Sequence, residues 1–143
     1  MNRLLIDTKD RRVQYASAGM PELLLYRPGS AGIQALMAAG LWVGNGYTKY
    51  TANPAEASLS YEDGDILVLA SDGVLDAESG GNPFGSGGVH TALLNAHSEN
   101  AEKMVQAILR AVLLHTGNAA PSDDQTVVVV RLGNGVSERR VDV

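Results

Sequence analysis

The chain has 143 residues, 45% of them hydrophobic, a formal net charge of −5 and no cysteine. That length suits a single domain spanning residues 1–143, and the composition excludes disorder, disulfides and thiolate-held zinc or iron–sulfur centres. Basic residues occur only as scattered pairs such as Arg11-Arg12 and Arg139-Arg140, which argues against nucleic acid as a partner, and no apolar run reaches the roughly 18 residues of a membrane span or reads as a signal peptide, so a soluble, cytoplasmic protein is expected.

In chain order, Leu4 to Ile6 and Val13 to Ala16 are short apolar runs around Thr8-Lys9-Asp10-Arg11 and predict a hairpin. Leu23 to Tyr26 follows the turn signal Gly19-Met20-Pro21 and predicts a third strand, ended by Pro28-Gly29-Ser30. Residues 33 to 37 read as another short strand. Tyr47 to Leu59 contains Pro54 and reads as an edge strand or a broken one. Glu62-Asp63-Gly64-Asp65 is a turn. Ile66 to Ala70 is then continuously apolar, as a strand covered on both faces must be. Residues 76 to 89 form a glycine-rich loop, and a short helix is predicted over 89 to 96.

The clearest helix is marked by Ala101, Met104, Val105, Ile108, Leu109, Val112 and Leu113, which recur at helical spacing. Ser98 is its expected N-cap. Glu99 and Glu102 suit the positive end of the helix dipole; His115 and Gly117 suit the other end. Val127 to Val130 predicts the last strand, again central and apolar on both faces. Val136 to Val143 is expected to be a frayed tail or an added edge.

Two acidic segments stand at strand ends. Ser71-Asp72-Gly73 closes the run at 66–70, and Ser122-Asp123-Asp124-Gln125-Thr126 opens the run at 127–130. If those strands are neighbours, Asp72 and Asp123 reach one end of a sheet. Two anions held together repel, and a hard divalent cation with oxygen preference removes that cost. Such a cation could acidify a water for attack on phosphorus. Each segment alone is equally an ordinary turn, and pattern by itself leaves both readings open.

Other candidates carry less. His90, His97 and His115 lack zinc spacing and read as solvent or helix-end residues. Ser17, Ser71 and Ser122 sit in no nucleophile elbow. Gly44-Asn45-Gly46 and Gly85 to Gly88 lack the strand–glycine–helix context of a nucleotide loop, and Lys49 completes no P-loop. Trp42 carries no functional claim.

Four segments, taken in order, resemble the sporulation-protein-E branch of the type 2C (PPM) serine/threonine phosphatases. Tyr15 to Leu25, with Ala18-Gly19-Met20-Pro21, resembles the branch's Ala-Gly-His-x-Pro region, with Met20 where histidine is common. Gly64-Asp65 followed by Ser71-Asp72-Gly73-Val74 resembles its Gly-Asp … Ser-Asp-Gly-Val motif. Pro83-Phe84-Gly85 resembles its Phe-Gly loop, and Asp123-Asp124-Gln125-Thr126 its closing Asp-Asp-x-Thr strand. The resemblance extends from about residue 4 to about residue 132.

The resemblance implies an α/β layered fold: a β-sandwich of mostly antiparallel sheets flanked by helices, here incomplete on its N-terminal side. It implies metal ligation by Asp72 and Asp123, with Mn²⁺ or Mg²⁺ as cofactor and Asp124 as a supporting loop residue. It implies hydrolysis of phosphoserine or phosphothreonine on a bacterial signalling protein of the anti-sigma-factor antagonist type. The family's earlier Gly-Gly-Asp strand has no counterpart here, and Asp7 and Asp10 have no glycines before them. The competing expectation is therefore a non-catalytic regulatory or interaction module with an incomplete metal site. An open sheet edge would also favour pairing with another chain as a homodimer, or marginal stability.

Overall fold

In the computed structural model, residues 2–17, 19–30, 32–36 and 56–133 are described. Strands β1 (Asn2–Asp7) and β2 (Arg12–Ser17) form the expected hairpin. Asp7 closes it, its Oδ1 accepting from the backbone N–H groups of Lys9 and Asp10, both at 2.9 Å. Strand β5 (Glu56–Ser60) pairs with the other side of β2, so the first sheet has the order β1-β2-β5. The part of the 47–59 segment before Glu56 lies outside the described residues, as do Trp42, the Gly44 to Gly46 turn, Lys49 and the 136–143 tail.

The second sheet has the order β4-β3-β6-β9, with β3 at Leu23–Tyr26, β4 at Ile33–Leu36, β6 at Ile66–Ala70 and β9 at Val127–Arg131. All its pairings are antiparallel. Its two faces explain the unbroken apolar run of β6. On one face, Leu23, Leu25 and Leu67 pack with Val13 and Tyr15 of the first sheet and with Tyr61 and Leu132. On the other, Leu24, Ile66 and Val68 pack under two helices, through Val89 and Leu93 of one and Met104, Ile108 and Val112 of the other. The layers are therefore sheet, sheet, helices: the expected sandwich of antiparallel sheets, with its helices on one side among the described residues.

A single helical turn, α1 (Asp72–Leu75), follows β6 directly. The 76–89 region is more ordered than a loop. It holds a small ladder between β7 (Glu78–Ser79) and β8 (Asn82–Pro83), and then α2 (Gly85–Ala96) begins four residues ahead of the expected start. The reason is steric: a Cβ at Gly88 would lie 2.6 Å from the Phe84 ring. Glycine there lets the aromatic side chain fold back over the first helical turn, which composition alone reads as a flexible stretch.

Helix α3 (Ala101–His115) carries the expected apolar stripe, but its N-cap is Asn100, whose side chain accepts from the Lys103 N–H at 2.9 Å. The expected cap, Ser98, lies two residues outside. Gly117 has φ 64, as a left-handed residue after a helix end does, and its N–H donates to the Leu114 carbonyl. Strand β9 also departs from expectation. It is an edge of its sheet among the described residues, not a central strand, and Val128 is exposed. Val128 shares the face of its register partner Leu69.

One polar group is wholly enclosed. Asp65, with no exposure, accepts from Arg27 Nε and Nη2 and from the Glu62 N–H, while Arg27 Nη2 also donates to the Ser60 carbonyl at 3.0 Å. The hydrogen bond to Asp65 raises the Arg27 pKa above its ordinary value, partly opposed by desolvation. This cluster ties the starts of β6 and the ends of β3 and β5 into one corner.

Candidate metal site at two strand ends

The register of β6 against β9 decides where the acidic segments go. Ala70 is opposite Val127, so the chain leaving β6 and the chain entering β9 meet at one end of the sheet. The ladder continues past both strands: the Ser71 N–H donates to the Thr126 carbonyl at 2.9 Å. The Ser71 hydroxyl then bridges the two segments, accepting from the Thr126 N–H at 3.0 Å and donating to the Asp124 carbonyl at 3.1 Å. Asp72 and Asp123 thus leave the same end of adjacent strands, and both are exposed.

Gly73 makes this approach feasible. A Cβ at that position would overlap the Asp124 carbonyl oxygen and stand 3.2 Å from the Asp123 carbonyl carbon. The glycine in Ser-Asp-Gly is required because another backbone occupies the volume a side chain would need, not because of its dihedral freedom. Each carboxylate has one oxygen oriented by backbone: Asp72 Oδ1 accepts from the Gly73 N–H at 3.2 Å, and Asp123 Oδ1 from the Asp124 N–H at 2.7 Å.

Mg²⁺ is commonly held by one or two carboxylates with the remaining positions filled by water or substrate phosphate, and Mn²⁺ shares the preference for oxygen. Two exposed carboxylates at one end of the sheet fit such a hydrated ion. They do not form an all-protein cage, since no three His, Cys, Asp or Glu residues gather into one among the described residues. Asp7 Oδ1 serves the β1–β2 turn, and neither Asp7 nor Asp10 gathers with other acidic residues into a metal-holding group among the described residues.

The other sequence candidates separate from this site. His97 caps α2 and lies against Tyr26, and His115 ends α3 with Nε2 at 2.9 Å from the Asn82 carbonyl oxygen. These are helix-end residues, as expected. His90 is not: it lies inside α2, with its Nε2 buried and without a hydrogen-bond partner. An open cavity of about 730 Å³ lies away from the acidic ends, lined by Arg12, Ser58 and Ser60 on one sheet and Arg27 and Gln34 on the other. Its Arg27 guanidinium is already engaged by Asp65 and Ser60.

This sandwich with acidic strand ends is the PP2C-type fold. The sequence matches the Stage II sporulation protein E (SpoIIE) family over residues 3–133, and the chain belongs to that family. Among solved structures, it superimposes on the phosphatase domain of the cell fate determinant SpoIIE from Bacillus subtilis, presoaked with Mn, with TM-score 0.67 and 17% identity. That match covers 96% of this chain and 58% of the other. The SiaA PP2C domain of Pseudomonas aeruginosa gives TM-score 0.76 and 20% identity over 92% of this chain and 51% of its own. The RsbU and RsbW domains of Rv1364c from Mycobacterium tuberculosis give 0.66 and 18%, over 88% and 34%. The chain therefore spans about three-fifths or less of each of these neighbours. No curated protein matches it significantly. Among the described residues, no helix is long and apolar enough to cross a membrane.

Proposed function

We propose that this chain supplies the Asp72–Asp123 half of a metal-dependent protein phosphatase site, acting on phosphoserine or phosphothreonine in a signalling protein of the anti-sigma-factor antagonist type. The setting would be a bacterial cytoplasm. The observation that carries the reading is the direct backbone contact of Gly73 with the Asp123-Asp124 segment, which binds two acidic strand ends into one rigid unit. Turn aspartates with no common task need no such lock.

Asp72 and Asp123 would hold Mn²⁺ or Mg²⁺, which when bound supplies Lewis-acid chemistry to a phosphoryl oxygen and to water. The chain's own part is positioning. Ser71 fixes the spacing of the two segments, and the Gly73 and Asp124 N–H groups orient one oxygen of each carboxylate. Substitution of either carboxylate leaves the hydrogen-bonded frame of Ser71 and Thr126 intact, so ligand loss and unfolding are separable.

The test is Mn²⁺ binding by calorimetry alongside Mn²⁺-dependent hydrolysis of an aryl phosphate. Asp72→Asn and Asp123→Asn should each lower Mn²⁺ affinity at least tenfold and abolish turnover with unchanged thermal stability. Gly73→Ala keeps both carboxylates yet should weaken binding as well, because the segments must separate. Wild-type binding that survives both Asn variants would overturn the assignment. Metal binding without turnover would instead favour a non-catalytic regulatory module, a reading supported by the absence of a third acidic ligand among the described residues.

A further inference from the structure

The segment 72–86 leaves the second sheet at Asp72 and is tied back to it at Ser86. Its departure is fixed by Ser71 and Gly73 against Asp124. Its return is fixed by another polar contact: the Ser86 hydroxyl, in the first turn of α2, donates to Glu22 Oε1 at 2.5 Å. The two residues are 64 positions apart, and the contact is partly buried.

Strand register places Glu22. Leu24 of β3 stands opposite Val68 of β6, so Glu22, two residues before Leu24, is level with Ala70, two residues after Val68. Glu22 is therefore at the sheet end from which Asp72 emerges. Side chains alternate along a strand, so Glu22 shares the face of Leu24, which packs under the helices. That face brings it to α2. A carboxylate accepting from a hydroxyl makes a charge-assisted hydrogen bond, stronger than a neutral one.

We propose that Glu22 and Ser86 are positioning residues for Asp72: they hold the first turn of α2 so that α1 presents the Asp72 carboxylate at a fixed place beside Asp123. This assignment rests on the metal-site reading given above. Helix α1 is a single turn, too short to be stable alone, so its position comes from what it packs on. Val74 and Ala77 are buried with Val89 and Leu93 of α2. Phe84 donates its N–H to the Ala77 carbonyl at 2.8 Å, and its ring lies over Gly88. The Asp76 N–H donates to the Asp72 carbonyl at 2.7 Å, which closes the path from Ser86 to Asp72. Releasing Ser86 loosens the start of α2, and α1 loosens with it. A ligand-bearing side chain must be held to within about 0.5 Å, so that loosening reaches the metal.

The test reads the clamp and the metal separately. In the metal-free protein, Ser86→Ala should speed amide hydrogen exchange at Val74 and Asp76 about tenfold, with Met104 and Ile108 in α3 unchanged. Ser86→Thr keeps the hydroxyl and should restore the wild-type rates. Glu22→Gln keeps the shape without the charge and should fall between the two; it carries the comparison if Ser86→Ala does not fold. By calorimetry, Ser86→Ala should weaken Mn²⁺ binding about fivefold and Ser86→Thr should not. Unchanged α1 exchange in the Ser86→Ala and Glu22→Gln variants overturns the proposal, as does faster exchange spread evenly over α1 and α3. So does a loosened α1 with unchanged Mn²⁺ affinity, because the pair would then brace the helix without placing the ligand. A wild-type chain that binds no Mn²⁺ overturns the metal-site reading and this assignment with it, and the exchange rates distinguish that failure from a failure of the clamp alone.

Discussion

The two sheets are built from similar strands but live in different surroundings. In the β4-β3-β6-β9 sheet, β6 is covered by helices on one face and by the other sheet on the second, and Ile66, Leu67 and Val68 are all buried. In the β1-β2-β5 sheet, only one face is covered among the described residues, and β2 alternates between exposed Arg12 and Gln14 and buried Val13 and Tyr15. The doubly covered sheet carries the acidic strand ends. The acidic strand ends thus sit on the layer whose core strand is covered on both faces.

The largest test of this contrast is Leu67→Ala. It removes a side chain shared by both layers of the sandwich and should cost about 3 kcal/mol in urea denaturation. Asp65→Asn comes next. It keeps the shape of a fully buried side chain but leaves Arg27 without its charged partner, and should cost about 2 kcal/mol, the exposure of Arg27 limiting the loss. Asn100→Ala should cost about 1 kcal/mol by removing the α3 cap, whereas Ser98→Ala should cost much less. Smallest of all, Leu5→Ser on the open face should change the unfolding free energy of the monomer by less than about 0.5 kcal/mol. A loss at Leu5 as large as at Leu67 would mean that the outer face of the first sheet is covered, and the contrast would fail.

Where the sequence reading failed, packing or hydrogen-bond geometry had decided the outcome. Ser98 and Asn100 are both good capping residues, and only Asn100 stands where its side chain accepts from the Lys103 N–H. The early start of α2 depends on Phe84 folding over Gly88, a packing event that makes a glycine-rich stretch helical. The four valines of 127–130 look central, but β9 is an edge of its sheet among the described residues and Val128 is exposed. His90 resembles any surface histidine in sequence, and only the packing of α2 buries its Nε2.

By itself, the sequence determined the hairpin, the run of β6, the α3 stripe and the presence of acidic residues at two strand ends. Each of these is a local matter of side-chain period, turn residues or a doubly apolar run. Only the tertiary structure decided that β6 and β9 are neighbours and that Ser71 and Gly73 lock Asp72 and Asp123 into one unit. Those depend on contacts between residues some fifty positions apart, and strand order leaves no periodic trace in the chain.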